Sequence, residues 1–209
     1  TLVFSEAVAS FSSAADITVA NGTLAGMSSA DNITWTGTFT PTANTEDASN
    51  TLSLATSYTD TAGNAGPAAT TANYAVETLA PTLSQVNAVT TPTKYTTPNY
   101  TFSSSEAGTI TYGGSCSSST TTAISGNNTI TLVSLSDGTY SNCTITVTDS
   151  LGHASSALSV STFVVDTTPP YVSSFTISPT ALKAGDTATV RLVFSEAVAS
   201  FSSAADITV

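Results

Sequence analysis

Eighteen residues, LVFSEAVASFSSAADITV, stand at Leu2–Val19 and return letter for letter at Leu192–Val209. Identity over that length is not a coincidence of composition, so the offset (192 − 2 = 190 residues) is a repeat period. A lead-in, PPYVSSFTISPTALKAGDTATVR at Pro169–Arg191, precedes the second copy only. The chain therefore reads as a window on a tandem array: a first unit lacking its first strand, one period, and the opening of the next copy. Repeats of this kind contact mainly their neighbours and extend as a string.

The local pattern inside the period is β. In NITWTGTFTP, Ile33, Trp35 and Phe39 share one parity, and Thr34, Thr36, Thr38 and Thr40 share the other. NCTITVTD sets Cys143, Ile145 and Val147 against Thr144, Thr146 and Thr148, and TATVRLVF places Ala188, Val190, Leu192 and Phe194 on one face. Each stretch predicts a strand with one face in a core and one in water. Turn signals separate them: ANGT, TAGNAGP, SGNN, SDGT and DSLG. No stretch carries a capped 3.6-residue period; the Ala-rich SEAVASFSSAAD is expected to be an irregular loop. The expected class is all-β, as antiparallel sandwiches.

Charge narrows the partners. Only 8% of residues are charged, the net charge is −11, and Lys94, Lys183 and Arg191 are the entire basic inventory. Nucleic acid and anionic membranes both require positive charge, so neither is an expected partner. No apolar run approaches the ~18 residues that span a bilayer, so membrane insertion by this segment is not expected. Ser and Thr make up about a third of the chain, a surface kept soluble by hydroxyls, which has an extracellular look. The excess of carboxylates suits divalent cations.

A finer repeat divides the period. SEAV at Ser5–Val8 answers to SEAG at Ser105–Gly108, YTDTAGNAG around Asp60 to VTDSLGHAS around Asp149, and AVETLAPT around Glu77 to FVVDTTPP around Asp166. Three landmarks in one order imply two related domains, with boundaries at Pro81 and Pro170, where proline stiffens a short linker. The expected division is 1–80 for the first domain, 81–169 for a second, shorter domain containing both cysteines, and 170–209 for the start of the next copy.

The residues LVFSEAV, DITVANGTL, WTGTFTPTAN, YTDTAGNAG and TLAPT, spread over Leu2–Thr82, resemble the bacterial Ig-like repeats of giant surface adhesins and biofilm-associated proteins. The partial copy from Pro170 shares the resemblance, and Pro81–Pro170 resembles a shorter Ig-like repeat that alternates with it. Glu77 stands where the family's linker Asp is usual, and His153 replaces the Asn of AGN. The resemblance implies immunoglobulin-like sandwiches in an extended string, secreted to the bacterial cell surface. There they would serve as stalk or spacer, often rigidified by calcium at domain junctions. Partners would be neighbouring repeats of the same polypeptide or fibre; nothing here identifies a distal ligand.

Cys116 and Cys143 are the only cysteines, 27 residues apart and without a CxxC spacing that would favour a metal or redox role. In a secreted Ser/Thr-rich sandwich a disulfide is the better reading, stabilising its domain by about 3 kcal/mol.

Catalysis finds little in the sequence. His153, the sole histidine, sits beside Gly152 in a turn and reads as a solvated loop residue; no serine lies in a G-x-S-x-G elbow. Glu46 and Asp47 are adjacent and read as a solubilising loop, and Trp35 reads as core. The remaining carboxylates have a stronger claim. In an immunoglobulin-like strand order, the loop after the second strand and the loop between the last two strands share the pole that faces the preceding domain. The first loop carries Glu6 or Glu106, the second Asp60 or Asp149, and the incoming linker brings Glu77 or an Asp166 equivalent. One junction would gather Glu77, Glu106 and Asp149, and the other an Asp166 equivalent with Glu6 and Asp60. Bridging by a hard cation, calcium, would offset the repulsion. The competing role is that these acids bind turn amides. Alternatives to a spacer are a fibre subunit whose neighbouring copies complement one another by strand exchange, a carbohydrate-binding module and, last, a hydrolase.

Overall fold

The computed structural model describes residues 1–207, so Thr208 and Val209 of the duplicated segment lie outside it. The molecule is built almost wholly of short antiparallel strands. Among the described residues, the strand ladders join partners within 2–77, within 83–165 and within 172–194, and no ladder crosses from one stretch to another.

The middle stretch shows the sandwich most fully. One sheet orders Leu83–Asn87, Asn99–Ser104 and Gly126–Thr131; the other orders Thr122–Ala123, Gly108–Gly113, Thr144–Thr148 and Leu158–Ser159. Gly138–Tyr140 and Phe163–Val165 pair beside them. The chain crosses between layers from Asn99–Ser104 to Gly108–Gly113 and back from Thr122–Ala123 to Gly126–Thr131, as in an immunoglobulin-like fold. The threonine-alternating strand behaves as its parity predicts: Ile145 and Val147 are buried while Thr144, Thr146 and Thr148 stay partly exposed. Tyr100, Phe102, Ile130 and Phe163 from the facing elements complete a core with no solvent exposure at those four side chains. Sheet-on-sheet burial of alternate residues stabilises this stretch.

Cys116 and Cys143 are joined by a disulfide, with Cα atoms 5.2 Å apart. Cys143 abuts the strand Thr144–Thr148 and is buried, whereas Cys116 lies in the loop after Gly113, so the bond ties that loop to the sheet. Gly114 makes the approach possible: its φ is +72°, and a Cβ there would stand 1.9 Å from the Asn142 carbonyl oxygen. Native protein should show no titratable thiol. Reduction should destabilise residues 83–165 by about 3 kcal/mol and leave the first core unchanged, read as two transitions in calorimetry. Equal loss in both cores would show that the bond acts otherwise.

The first stretch has a smaller core. Val8, Phe11, Leu54 and Tyr58 are buried, with Leu2, Phe4, Ile17, Met27 and Trp35 packed against them. Phe11 contacts Trp35 edge-on at 4.9 Å between ring centroids, and Phe4 lies 5.4 Å from Phe11. Trp35 thus belongs to the core, as its parity predicts. The stretch around it is less regular than its alternation implies: Thr34–Trp35 pairs with Leu2–Val3, whereas Phe39–Pro41 is a separate strand that pairs with Gly22–Leu24. SEAVASFSSAAD also departs from the expected loop. Ser13–Asp16 forms one helical turn, closed by Asp16 accepting a hydrogen bond from the Ser12 amide at 2.7 Å.

Candidate functional site

Two loops of matching sequence fold identically. Asp60 Oδ1 accepts the amides of Ala62 (2.8 Å) and Asn64 (2.9 Å), and Asp149 Oδ1 accepts those of Leu151 (2.8 Å) and His153 (2.9 Å). The second carboxylate oxygen takes a side chain in each case: Asn64 Nδ2 on Asp60 and His153 Nδ1 on Asp149, both at 2.8 Å. Gly63 (φ +89°) and Gly152 (φ +96°) supply the left-handed residue each loop needs. The imidazole of His153 therefore does the work of the Asn64 carboxamide. This corrects the reading of His153 as a solvated loop residue: its side chain is 31% exposed and fixed on Asp149.

Hydrogen bonding sets the charge state of these two acids. Asp60 is held below the ordinary carboxyl range by the Asn64 side chain and backbone amide. At Asp149 desolvation acts upward, but the His153 amide and ring and the Leu151 amide outweigh it, and the net shift is downward. Acids lowered on folding contribute stability that is present above their unfolded value and is lost as pH falls through the lower folded value. Acidification should therefore open both loops only well into the acid range. Amide exchange at His153 and Asn64 that accelerated already near neutral pH would contradict this.

Residues from a distant strand join the Asp149 loop. Glu77 ends the strand Tyr74–Glu77 just before the link through Thr78 and Pro81, and receives the Leu79 amide on Oε1 at 2.8 Å. Glu77, Asp149 and His153 each offer a ligand atom, all within 4.8 Å of one another, and all three are half-buried. Glu106 follows the strand Asn99–Ser104 and feels the charge of the same group. Desolvation, then the charges of Glu77, Asp149 and Glu46, push its carboxyl above the ordinary value. Of the expected set, Glu77 and Asp149 stand together with His153, and Glu106 lies within range of their charge.

Glu46 is the member that sequence reading missed. Glu46 and Asp47 are not a solubilising loop; they open the strand Glu46–Asn50, where Glu46 lies directly opposite Glu77 and Asp47 accepts Asn21 Nδ2 at 2.7 Å. No local signal marks that pairing, since Glu46 and Glu77 meet only through ladder register. Like charges facing across a ladder destabilise it, which adds to the unneutralised charge at this place.

The other expected set joins Glu6 and Asp60 to an Asp166 equivalent of a preceding copy, and its members appear here in two parts. Glu6 and Asp60 line one hollow at the end of the first core, and Asp166 lines another with Glu196, the counterpart of Glu6 in the duplicated segment.

Residues 1–76 match the family of bacterial Ig-like domains. No curated protein and no solved structure matches the chain.

Proposed function

We propose that this chain, whose residues 1–76 match the bacterial Ig-like domains, is a structural spacer: alternating Ig-like domains of a long, repetitive extracellular adhesin or filament, stiffened at its junctions by calcium. The match to bacterial Ig-like domains and the disulfide-bearing β-sandwich support a structural, surface-type protein. The proposed division is 1–80, 81–169 and 170–209, in keeping with ladders and cores that close within these bounds. No catalytic role is assigned.

The observation that carries the junction reading is the convergence of Glu77, from before the link, with Asp149 and His153 from beyond it. Two sandwiches joined by a few residues would otherwise swing, because small interfaces permit it. The donor set fits a hard divalent cation: Glu77, Glu106 and Asp149 supply carboxylate oxygens, and like charges crowded together favour neutralisation. His153, its Nδ1 engaged with Asp149, would orient that carboxylate. Bound calcium would supply charge neutralisation and a bridge across the link. At the other junction the proposal uses Asp166 ahead of Glu196, and by repetition Glu6 with Asp60.

The test is calcium titration of the whole chain, followed by small-angle scattering and melting. Calcium should narrow the distribution of inter-domain angles and raise the melting temperature, with stabilisation of about 2.7 kcal/mol at a hundredfold excess over Kd. β content should not change. Glu106→Gln should act with opposite signs in the two states. Without calcium it removes a charge whose raised pKa shows that ionisation is disfavoured, so stability rises or holds. With calcium it removes a ligand, so the calcium-dependent gain shrinks. Scattering and melting both indifferent to calcium would overturn the junction reading and leave these acids as turn residues.

A further inference from the structure

Any tension along the chain enters residues 83–165 from Pro81 and leaves them towards Pro170, and the two ends of that stretch are fastened to each other. The one parallel pairing among the described residues sets Thr93 beside Val165. The Thr93 amide donates to Val164 O and the Asp166 amide to Thr93 O, both at 2.9 Å. The Val164 amide donates to Thr91 Oγ1, also at 2.9 Å. Gln85, on the entering strand Leu83–Asn87, makes a second tie. Its Oε1 accepts the Ser161 amide at 3.1 Å and the Tyr100 hydroxyl at 3.2 Å, and its Nε2 donates to Ser161 Oγ at 2.9 Å.

Direction decides what these bonds can bear. Residues 91–93 and 164–166 run the same way, so a pull back on the first and forward on the second drives them past each other along one axis. Bonds lying across that axis are loaded together and share the force, whereas a pair opened from one end loses its bonds in turn. The leaving strand Phe163–Val165 is held on its other side as well, by its ladder to Gly138–Tyr140 and the stacked rings of Tyr140 and Phe163. Beyond it, Asp137 accepts the Thr167 amide at 3.0 Å, the Thr167 hydroxyl at 2.7 Å and the Thr168 hydroxyl at 2.9 Å, which fixes the line along which the chain leaves. The disulfide takes residues 117–142 out of the line of force, because load reaching Cys116 passes through sulfur to Cys143. Gly126–Thr131 and Gly138–Tyr140 lie inside this shielded loop and carry no tension themselves.

We propose that residues 91–93 and 164–166 form a force-bearing clamp, through which residues 83–165 resist stretching until the three bonds between the two segments break together. The proposal rests on the spacer reading for its source of tension. It adds a task that stiff junctions do not perform, since a junction resists bending and the clamp resists extension. The bonds at stake are made by backbone groups and one hydroxyl, so this resistance draws on no cation. When the clamp yields, the closed loop between Cys116 and Cys143 withholds about 90 Å of extension, at ~3.4 Å for each of its 27 residue steps.

The test holds the whole chain by its two ends at constant force and times its unfolding steps, because forced unfolding is governed by the unfolding barrier. Reduction identifies the step that belongs to residues 83–165, since that step alone should lengthen, by about 90 Å. Thr91→Val keeps the shape of an exposed side chain and deletes the acceptor for the Val164 amide. It should shorten the wait before that step about 3- to 10-fold, the worth of one hydrogen bond lost at the barrier. Ser118→Ala deletes a bond of similar kind, from Ser118 Oγ to Thr131 O at 2.7 Å, with both partners inside the shielded loop. It should leave the wait unchanged, because that bond is still whole when the clamp breaks. Urea unfolding supplies each variant's equilibrium loss, so the shortening is read per unit of stability lost. A wait indifferent to Thr91→Val, or shortened as much by Ser118→Ala, overturns the clamp. The tension is applied from outside, so neither outcome bears on the spacer reading, and scattering or melting indifferent to calcium would leave the clamp standing.

Discussion

Phe163→Ala is expected to cost residues 83–165 about 3–5 kcal/mol, the range for deleting a fully buried aromatic side chain. Phe163 has no solvent exposure and lies directly across the ladder from Tyr140, with the rings stacked at 5.2 Å and 14°. Its strand is three residues long, so little else holds it in register, and the side chain contributes more than any backbone bond it could offer in exchange. In the same core Tyr100 and Ile145 are held by strands of their own and do not collapse into the space left. Urea unfolding followed by near-ultraviolet signals from this core should show the loss at unchanged slope. A change under ~1 kcal/mol would mean that the site relaxes freely and that the packing described is looser than it looks.

The second large effect is a gain. Placing Tyr171–Arg191 directly ahead of Leu2, in place of Thr1, should raise the stability of the first core by several kcal/mol. Three apolar side chains, Phe175, Ile177 and Val190, would extend the wall that Leu2 gives the hollow, and burial contributes ~1.5–3 kcal/mol for each such side chain. Ordering about twenty residues opposes this, so the net gain is smaller than the sum. The hydrogen-bond geometry says which edge the new strand takes: Ser5, like Ser195, would donate to the carbonyl of Tyr171. A melting temperature of the first core that does not move would show that Leu2–Val3 already stands at a satisfied edge.

Sequence determined the class of fold through parity. The threonine alternation of Cys143–Thr148 dictates a strand with one wet and one dry face wherever that strand is placed, and the structure buries Ile145 and Val147 accordingly. The duplicated eighteen residues determined the local conformation twice over: the Ser12–Asp16 and Ser202–Asp206 turns agree because their hydrogen bonds are made within five residues. The D-x-x-G-N/H loops were likewise legible, each needing only a glycine at positive φ and an Asp that reaches its own amides. The proximity of Glu77 to Asp149 followed from the order of landmarks combined with an immunoglobulin-like strand order.

Tertiary structure decided what register and docking decide. Glu46 meets Glu77 because the strand Glu46–Asn50 pairs with Tyr74–Glu77, a match across about thirty residues that no short pattern encodes. His153 becomes part of the carboxylate group because its ring lies on Asp149 while Glu77 arrives from another strand. The break between Thr34–Trp35 and Phe39–Pro41 is invisible to alternation, since parity continues across residues 36–38 while the two halves pair with different strands. Identical residues end up buried at Asp16 and exposed at Asp206 for the same reason. Local sequence fixes the shape of a segment through bonds it makes with itself, and only the surface it docks on determines whether that segment is core or solvent-exposed.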